Sequence, residues 1–175
     1  RKALGKEVFC ENDANCFAIS EAFDGAGSRA HTVFGVILGT GVGAGIVIGK
    51  KLNKGKNKIA GEWGHNPLPW ANEGELPGKK CYCGRTGCLE TFISGPAIER
   101  EFNNLHGKNL NMKNIVKESG AGNFKAEQTI RNFEDRLARA LAHVINILDP
   151  DSIVLGGGLS NLSLIHISEP TRLRR

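Results

Sequence analysis

Three cysteines within eight residues, Cys81, Cys83 and Cys88, follow a histidine, His65, that ends the run Gly61-Glu62-Trp63-Gly64-His65. Thiolates held close together repel one another unless a cation sits between them, and Zn²⁺ accepts three Cys and one His in a closed tetrahedral site. We therefore expect His65, Cys81, Cys83 and Cys88 to hold a structural zinc. The alternative is three reduced, buried thiols, but Gly84 and Gly87 between the cysteines read as the tight turns of a ligand knuckle. Two carboxylates flank the ligands, Glu62 three residues before His65 and Glu90 two residues after Cys88. A metal that folds this loop also delivers both carboxylates to one place, so the zinc reads as structural and the carboxylates as functional.

Two other groups of residues invite chemistry. Glu11-Asn12-Asp13 lies at a strand-to-helix corner, where Asn and Asp are ordinary helix N-caps. A carboxylate at a strand end also serves as a general base toward a hydroxyl, with the neighbouring Asn12 holding hydroxyls by hydrogen bonds. The second group is Gly39-Thr40-Gly41-Val42-Gly43. It matches neither the dinucleotide fingerprint nor the Walker pattern, since no Lys-Ser/Thr follows and a strand rather than a helix comes next. A glycine-rich tip can still offer backbone N–H groups and the Thr40 hydroxyl to a phosphate. A plain hairpin turn explains the same residues.

The elements that must position these groups alternate between strand and helix. Val8-Phe9-Cys10 reads as a short strand, and Ala14 to Phe23 as a helix ending at Gly25-Ala26-Gly27. Thr32 to Leu38 and Ala44 to Ile48 read as the two strands of a hairpin with the glycine tip between them. Gly95-Pro96 opens a helix to about Leu105, since Pro is tolerated in a first turn. Another helix covers about Met112 to Ser119. The longest runs from about Phe124 to Leu148, with Ile130, Phe133, Leu137, Leu141, Val144, Ile145 and Leu148 on one stripe. Asp149-Pro150-Asp151 stops it, Ser152 to Leu155 forms a buried strand, and Gly156-Gly157-Gly158 follows at the strand's carboxyl end, where α/β folds place ligands.

With 40% hydrophobic residues the chain has enough apolar content for a packed core. No apolar run approaches the ~20 residues of a membrane span and no leader pattern is visible, which reads as a cytoplasmic protein. The odd cysteine count fits a reducing compartment, with Cys10 and Cys16 free and buried. The chain opens at Arg1, and Met112 is its only methionine, so its natural beginning is expected to be missing. Leu162 to Arg172 resembles a translated sequencing adapter, so residues 162–175 are set aside as a non-native tail. Removing the tail's three Arg and one Glu lowers the formal net charge from +5 to +3. Nucleic acid is then not an expected partner. The lysines at 50, 51, 54, 56 and 58, without aromatics among them, read as a solvated hairpin tip.

Taken in order, Glu-Asn-Asp-Ala-Asn, Leu-Gly-Thr-Gly-Val-Gly, Ala-Gly-Glu-Trp-Gly-His, Cys-x-Cys-Gly-x-x-Gly-Cys-x-Glu and Val-Leu-Gly-Gly-Gly resemble the ROK family of sugar kinases and repressors over about residues 7 to 161. Asn66-Pro67-Leu68-Pro69-Trp70 and the long helix into Asp149-Pro150 look most like a bacterial fructokinase of the mannofructokinase type, with a glucokinase or N-acetylglucosamine kinase as the alternative enzyme. The resemblance implies an α/β, actin-like (ribonuclease H-like) fold. Residues 1–30 would end a small domain and 31–161 would form most of a large one. It implies Asp13 as the base, with Asn12, Glu62, His65 and Glu90 on sugar hydroxyls. It further implies Gly39, Thr40, Gly41 and Gly43 near the phosphates of Mg-ATP, with Gly156, Gly157 and Gly158 near the adenosine. His65 would serve zinc with one ring nitrogen and face the sugar with the other. The family's other phosphate loop, Asp-x-Gly-Gly-Thr, has no counterpart here, so the chain is expected to be inactive as it stands. A homodimer is common in the family. A sugar-responsive repressor is the competing class, with the intact Asp13 favouring catalysis.

Overall fold

A computed structural model describes residues 5–7 and 10–160. The expected strand at Val8 and Phe9 and the tail 162–175 lie outside the described residues. A four-stranded sheet runs β3-β2-β1-β4 through Lys51–Leu52, Val42–Ile48, Thr32–Leu38 and Ser152–Gly156. β1 and β2 form the expected antiparallel hairpin, in a register that sets Gly35 opposite Gly45 and Leu38 opposite Val42. β4 runs parallel to β1, with Ile37 opposite Gly156, so the glycines after β4 lie at the same end of the sheet as the hairpin tip.

Alternation along β1 separates two cores, because successive side chains point to opposite faces of a strand. Val33, Gly35 and Ile37 share one face and Phe34, Val36 and Leu38 the other. On the first face lies α1 (Asp13–Phe23), packing Ala18 and Ala22 against Val33, Val47 and Val154. This helix sits unusually close to the sheet. A methyl added at Gly35 or at Gly45 would lie 2.7 Å from the Ala18 Cβ, so both glycines are required by packing.

The second face carries the larger core. Phe34, Val36, Leu38, Val42 and Ala44 meet Trp63, Leu68, Phe92 and the long α5 (Phe124–Leu148) through Ile130, Phe133, Leu137 and Val144. Each such side chain, fully buried, contributes ~1.5–3 kcal/mol. Between sheet and α5 in sequence come α2 (Glu90–Ile93), α3 (Gly95–His106) and α4 (Met112–Gly120). Ser94 caps α3 through the Ala97 N–H, and Asn111 and Asn123 cap α4 and α5 in the same way. These caps explain why the expected helix starts at 95, 112 and 124 agree with the structure.

Four expectations fail. Cys16 is exposed, because α1 turns Ala14, Asn15, Ala18 and Ala22 toward the sheet and leaves Cys16 on the opposite side; Cys10 is exposed as well. Ile145 is 45% exposed rather than part of the buried stripe. β4 is only half-buried, having β1 as its sole neighbour among the described strands. The lysine run is not uniformly solvated. Lys50 Nζ donates to the Ala22 and Ser28 carbonyls, and Lys54 pairs with Glu11. No helix among the described residues is long and apolar enough to cross a membrane.

Candidate active site and metal centre

The hairpin tip, the start of α1 and the metal loop converge at one end of the sheet. Asn12 and Asp13 stand at the N-terminus of α1, where Asn12 Oδ1 accepts from the N–H groups of Ala14 at 2.8 Å and Asn15 at 3.3 Å. Asn12 is therefore a cap, and its amide N–H₂ is left over for a ligand. Asp13 Oδ1 accepts from Ala14 N–H at 2.9 Å, and the residue is exposed on the cleft side.

Glu62 and His65 are carried by a segment pressed flat against β2. Gly61 has φ +94°, and a Cβ there would lie 2.2 Å from the Ala44 carbonyl oxygen; at Gly64 it would lie 2.0 Å from that of Val42. Only glycine permits both approaches. They hold the short 3₁₀ turn Trp63–His65 in place, anchored by Trp63 under Phe34 with ring centroids 5.7 Å apart. Glu90, at the start of α2, accepts from the Val42 N–H at 3.0 Å through Oε2, and a Cβ at Gly41 would lie 2.8 Å from that same oxygen. Gly41 thus makes room for a carboxylate at the hairpin tip.

The loop that links these carboxylates gathers the expected ligand set. One atom each from His65, Cys81, Cys83 and Cys88 lies within 4.8 Å of all the others. Cys81 Sγ is 3.6 Å from His65 Nδ1, and Cys83 Sγ is 3.6 Å from Cys88 Sγ. A zinc tetrahedron with Zn–S ~2.3 Å and Zn–N ~2.1 Å has S···S edges of ~3.8 Å and S···N edges of ~3.6 Å. The two 3.6 Å edges match such an ion, and every other donor pair lies within 4.8 Å, so the donor set is of the right type and close to the right spacing to hold one. Gly84 at φ +91° and Gly87 at φ +74° make the expected turns, and Cys81 N–H donates to the Arg85 carbonyl at 2.7 Å. Burial, with the neighbouring thiols Cys83 and Cys81, pushes the Cys88 thiol up to about 12. Cys83 is shifted down, chiefly by the Arg85 backbone N–H. A cation at the centre is what would favour the thiolate of a group so placed.

These parts enclose a cleft of about 410 Å³ lined by Asn12, Asp13, Gly39, Thr40, Gly41, Gly43, Glu62, His65 and Glu90. Nine of the expected site residues are thus brought together. Gly43 has a packing reason as well, since a Cβ there would lie 3.3 Å from the Ala14 Cβ. The tip itself is pinned, with Gly95 N–H donating to the Gly39 carbonyl at 2.9 Å. Gly156, Gly157 and Gly158 do not line the cleft. Gly156 lies under the Phe17 ring, Gly157 turns at φ +89° against Leu38, and the Gly158 nitrogen is 3.9 Å from where a Gly39 Cβ would be. They stand immediately behind the tip.

One lining residue escaped the sequence reading. Tyr82, between two ligand cysteines, lines the same cleft and places its hydroxyl 3.0 Å from His65 Nε2. The nearby Glu90 carboxylate, with help from burial and Cys81, raises its phenol pKa. Its spacing relative to the cysteines was the available signal. A side chain between two knuckle ligands is turned outward while its neighbours turn in.

The family model described as the ROK family matches residues 1–168. The N-acetyl-D-glucosamine kinase of Yersinia enterocolitica is 40% identical over 174 residues, covering 97% of this chain and 57% of that protein. The chain therefore spans little more than half the length of this curated relative. A ROK family glucokinase from Streptomyces griseus, solved in complex with glucose and AMPPNP, superimposes with a TM-score of 0.79 at 31% identity, over 92% of this chain and 55% of that one. A ROK family transcriptional regulator, a homologue of the E. coli MLC protein, superimposes with a TM-score of 0.80 at 28% identity, over 94% of this chain and 42% of that one. The fold is accordingly the α/β, actin-like fold of these sugar kinases. With a match over nearly the whole chain and four of the five motifs contributing to one cleft, this protein belongs to the ROK family.

Proposed function

We propose that the chain is the sugar-binding part of an ATP-dependent kinase that phosphorylates N-acetyl-D-glucosamine. The observation that carries the kinase reading is the cleft lined together by Asp13, Glu62, His65, Glu90 and the glycine tip. The substrate rests on the N-acetyl-D-glucosamine kinases at 40–41% identity. These relatives favour the N-acetylglucosamine kinase alternative over fructose, the first expectation from sequence. Within Asn66-Pro67-Leu68-Pro69-Trp70, Pro67 bridges Cys88, Leu68 is buried, and Trp70 stands edge-on to His143.

In this reading Asp13 accepts the proton of the attacking sugar hydroxyl, and its exposure at the helix start leaves the carboxylate free to do so. Glu62 and Glu90 accept hydrogen bonds from other hydroxyls, and the Asn12 amide donates to a neighbouring one. Phosphoryl transfer depends mainly on positioning and charge stabilisation, so a rigid rim that holds the hydroxyl at near-attack distance is the main contribution of these residues. The tip residues Gly39 to Gly43, with the Thr40 hydroxyl, receive the phosphates of Mg-ATP, and Gly156 to Gly158 lie on the nucleotide side. His65, Cys81, Cys83 and Cys88 hold zinc, whose chemistry is structural: it ties Glu62 and Glu90 to one frame. The two-domain division, 1–30 and 31–161, sets the cleft at the border, although α1 rides on the large-domain sheet.

The likeness to a transcriptional regulator favours a second reading, sugar binding without catalysis. A coupled assay of ADP release separates the two. The protein, extended to the length of its relatives, is expected to turn over N-acetyl-D-glucosamine in preference to D-glucose and D-fructose. Sugar binding without any ADP release would leave the regulator.

A further inference from the structure

Tyr82 is 82% exposed, an unusual position for a large side chain flanked by two candidate metal ligands. It is held there by His65 rather than by the core: its ring meets the imidazole edge-on at 5.1 Å, and its hydroxyl oxygen lies 3.0 Å from Nε2. His65 Nδ1 faces Cys81 Sγ at 3.6 Å, toward the centre of the ligand set. Once Nδ1 is given to a cation, the neutral ring carries its one hydrogen on Nε2. Nε2 then donates and the tyrosine oxygen accepts, which leaves the phenol O–H free to donate outward.

What that hydrogen serves follows from the rest of the rim. Asp13, Glu62 and Glu90 are acceptors when ionised, suited to sugar hydroxyls but unable to meet a carbonyl oxygen. The neutral side-chain donors lining the cleft, besides the committed His65, are Asn12, Thr40 and Tyr82. Asn12 is fixed beside Asp13 by its capping bonds, and Thr40 sits on the glycine tip. Tyr82 stands beside His65, 3.0 Å from its Nε2.

Building on the proposed sugar kinase function, we propose that Tyr82 is a specificity residue: it donates its hydroxyl hydrogen to the amide carbonyl oxygen of an N-acetylated hexose and so separates that substrate from the plain sugar. An unacetylated hexose lacks this acceptor and gains nothing from the tyrosine. The effect belongs to substrate binding, because the acetamido carbonyl forms and breaks no bond in the transfer.

The test compares wild type and Tyr82→Phe, each extended to the length of the curated relatives, in steady-state kinetics with N-acetyl-D-glucosamine and with D-glucose. Zinc content is measured on the same samples. The loss of one neutral hydrogen bond predicts a ~10-fold fall in kcat/KM for N-acetyl-D-glucosamine, carried mainly by KM, and a change of less than about twofold for D-glucose. Zinc content stays the same. An equal loss on both sugars, with or without loss of zinc, assigns Tyr82 to the loop and overturns the proposal, as does an unchanged ratio between them. Wild type that phosphorylates neither sugar overturns the kinase reading itself. Wild type active on both, with Tyr82→Phe unaltered, leaves that reading standing and removes only the tyrosine's role.

Discussion

Replacing Glu75 by Gln tests how the metal loop is fastened to the helices behind it. Glu75 is 7% exposed, and its Oε1 accepts from Arg136 Nε at 2.9 Å and Arg139 Nη2 at 2.7 Å, while Oε2 accepts from the Asn72 N–H at 3.0 Å. Arg136 continues the chain, forking onto both oxygens of Glu101 in α3 and stacking over Phe92 at 5.3 Å, two residues beyond Glu90. Burial alone would raise the Glu75 carboxyl, but the bonds from Arg139, the Asn72 backbone and Arg136 outweigh it and hold the pKa at about 2, against an ordinary 4.5. A depression of that size corresponds to about 3 kcal/mol, the order expected when one partner of a buried ion pair is removed. Because the folded-state pKa is the lower one, the contribution is complete above about pH 4.5 and is lost as pH falls toward 2. Urea unfolding of wild type and Glu75→Gln should therefore differ by about 3 kcal/mol at pH 7 and converge near pH 2. Other acidic groups, Glu11 included, titrate in both proteins and cancel in the difference. A gap below about 0.5 kcal/mol at pH 7, or curves that remain parallel down to pH 2, would refute the argument.

The metal loop and its glycines supply further tests. Cys88→Ser should bring zinc from one ion per chain to a small fraction of that in atomic absorption, with a lowered melting temperature; purified wild type that carries no zinc, and whose melting is indifferent to a chelator, would be inconsistent with the site. Gly61→Ala combines φ +94° with a 2.2 Å approach to the Ala44 carbonyl, and should lose at least ~2 kcal/mol in urea unfolding together with sugar affinity. Gly84→Ala, at φ +91° with nothing within 4 Å, carries the backbone strain alone and should lose only ~1 kcal/mol. Equal losses at the two positions would show that the close approach to β2 is unimportant.

Much of this architecture was legible because local signals agreed with the fold. The capping residues Asn12, Ser94, Asn111 and Asn123 each precede an apolar periodic run, and each begins the expected helix. The gathering of Cys81, Cys83, Cys88 and His65 was readable because a candidate metal site demands residue types that few other roles share. Less legible was anything decided by neighbours distant in sequence. Gly35 and Gly45 looked like weak strand residues, and only the closeness of Ala18 explains them. Lys50 looked like part of a solvated run until Ala22 in α1 and Ser28 in the loop beyond it supplied carbonyls for it. The burial of Glu75 depends on two arginines more than sixty residues away, a pairing that no local pattern announces. Tyr82 lay in plain view inside the strongest motif, yet its role needed the direction of the His65 ring.

Whether Asp13 is the base of a sugar phosphorylation carried out in this cleft is decided by single-turnover transfer from Mg-ATP to N-acetyl-D-glucosamine in wild type and Asp13→Asn. Asparagine keeps the size and hydrogen-bonding reach of aspartate but cannot accept the proton. The rate of sugar-phosphate formation should fall ~10²-fold or more while the sugar dissociation constant changes little. Transfer at close to the wild-type rate by Asp13→Asn would contradict it.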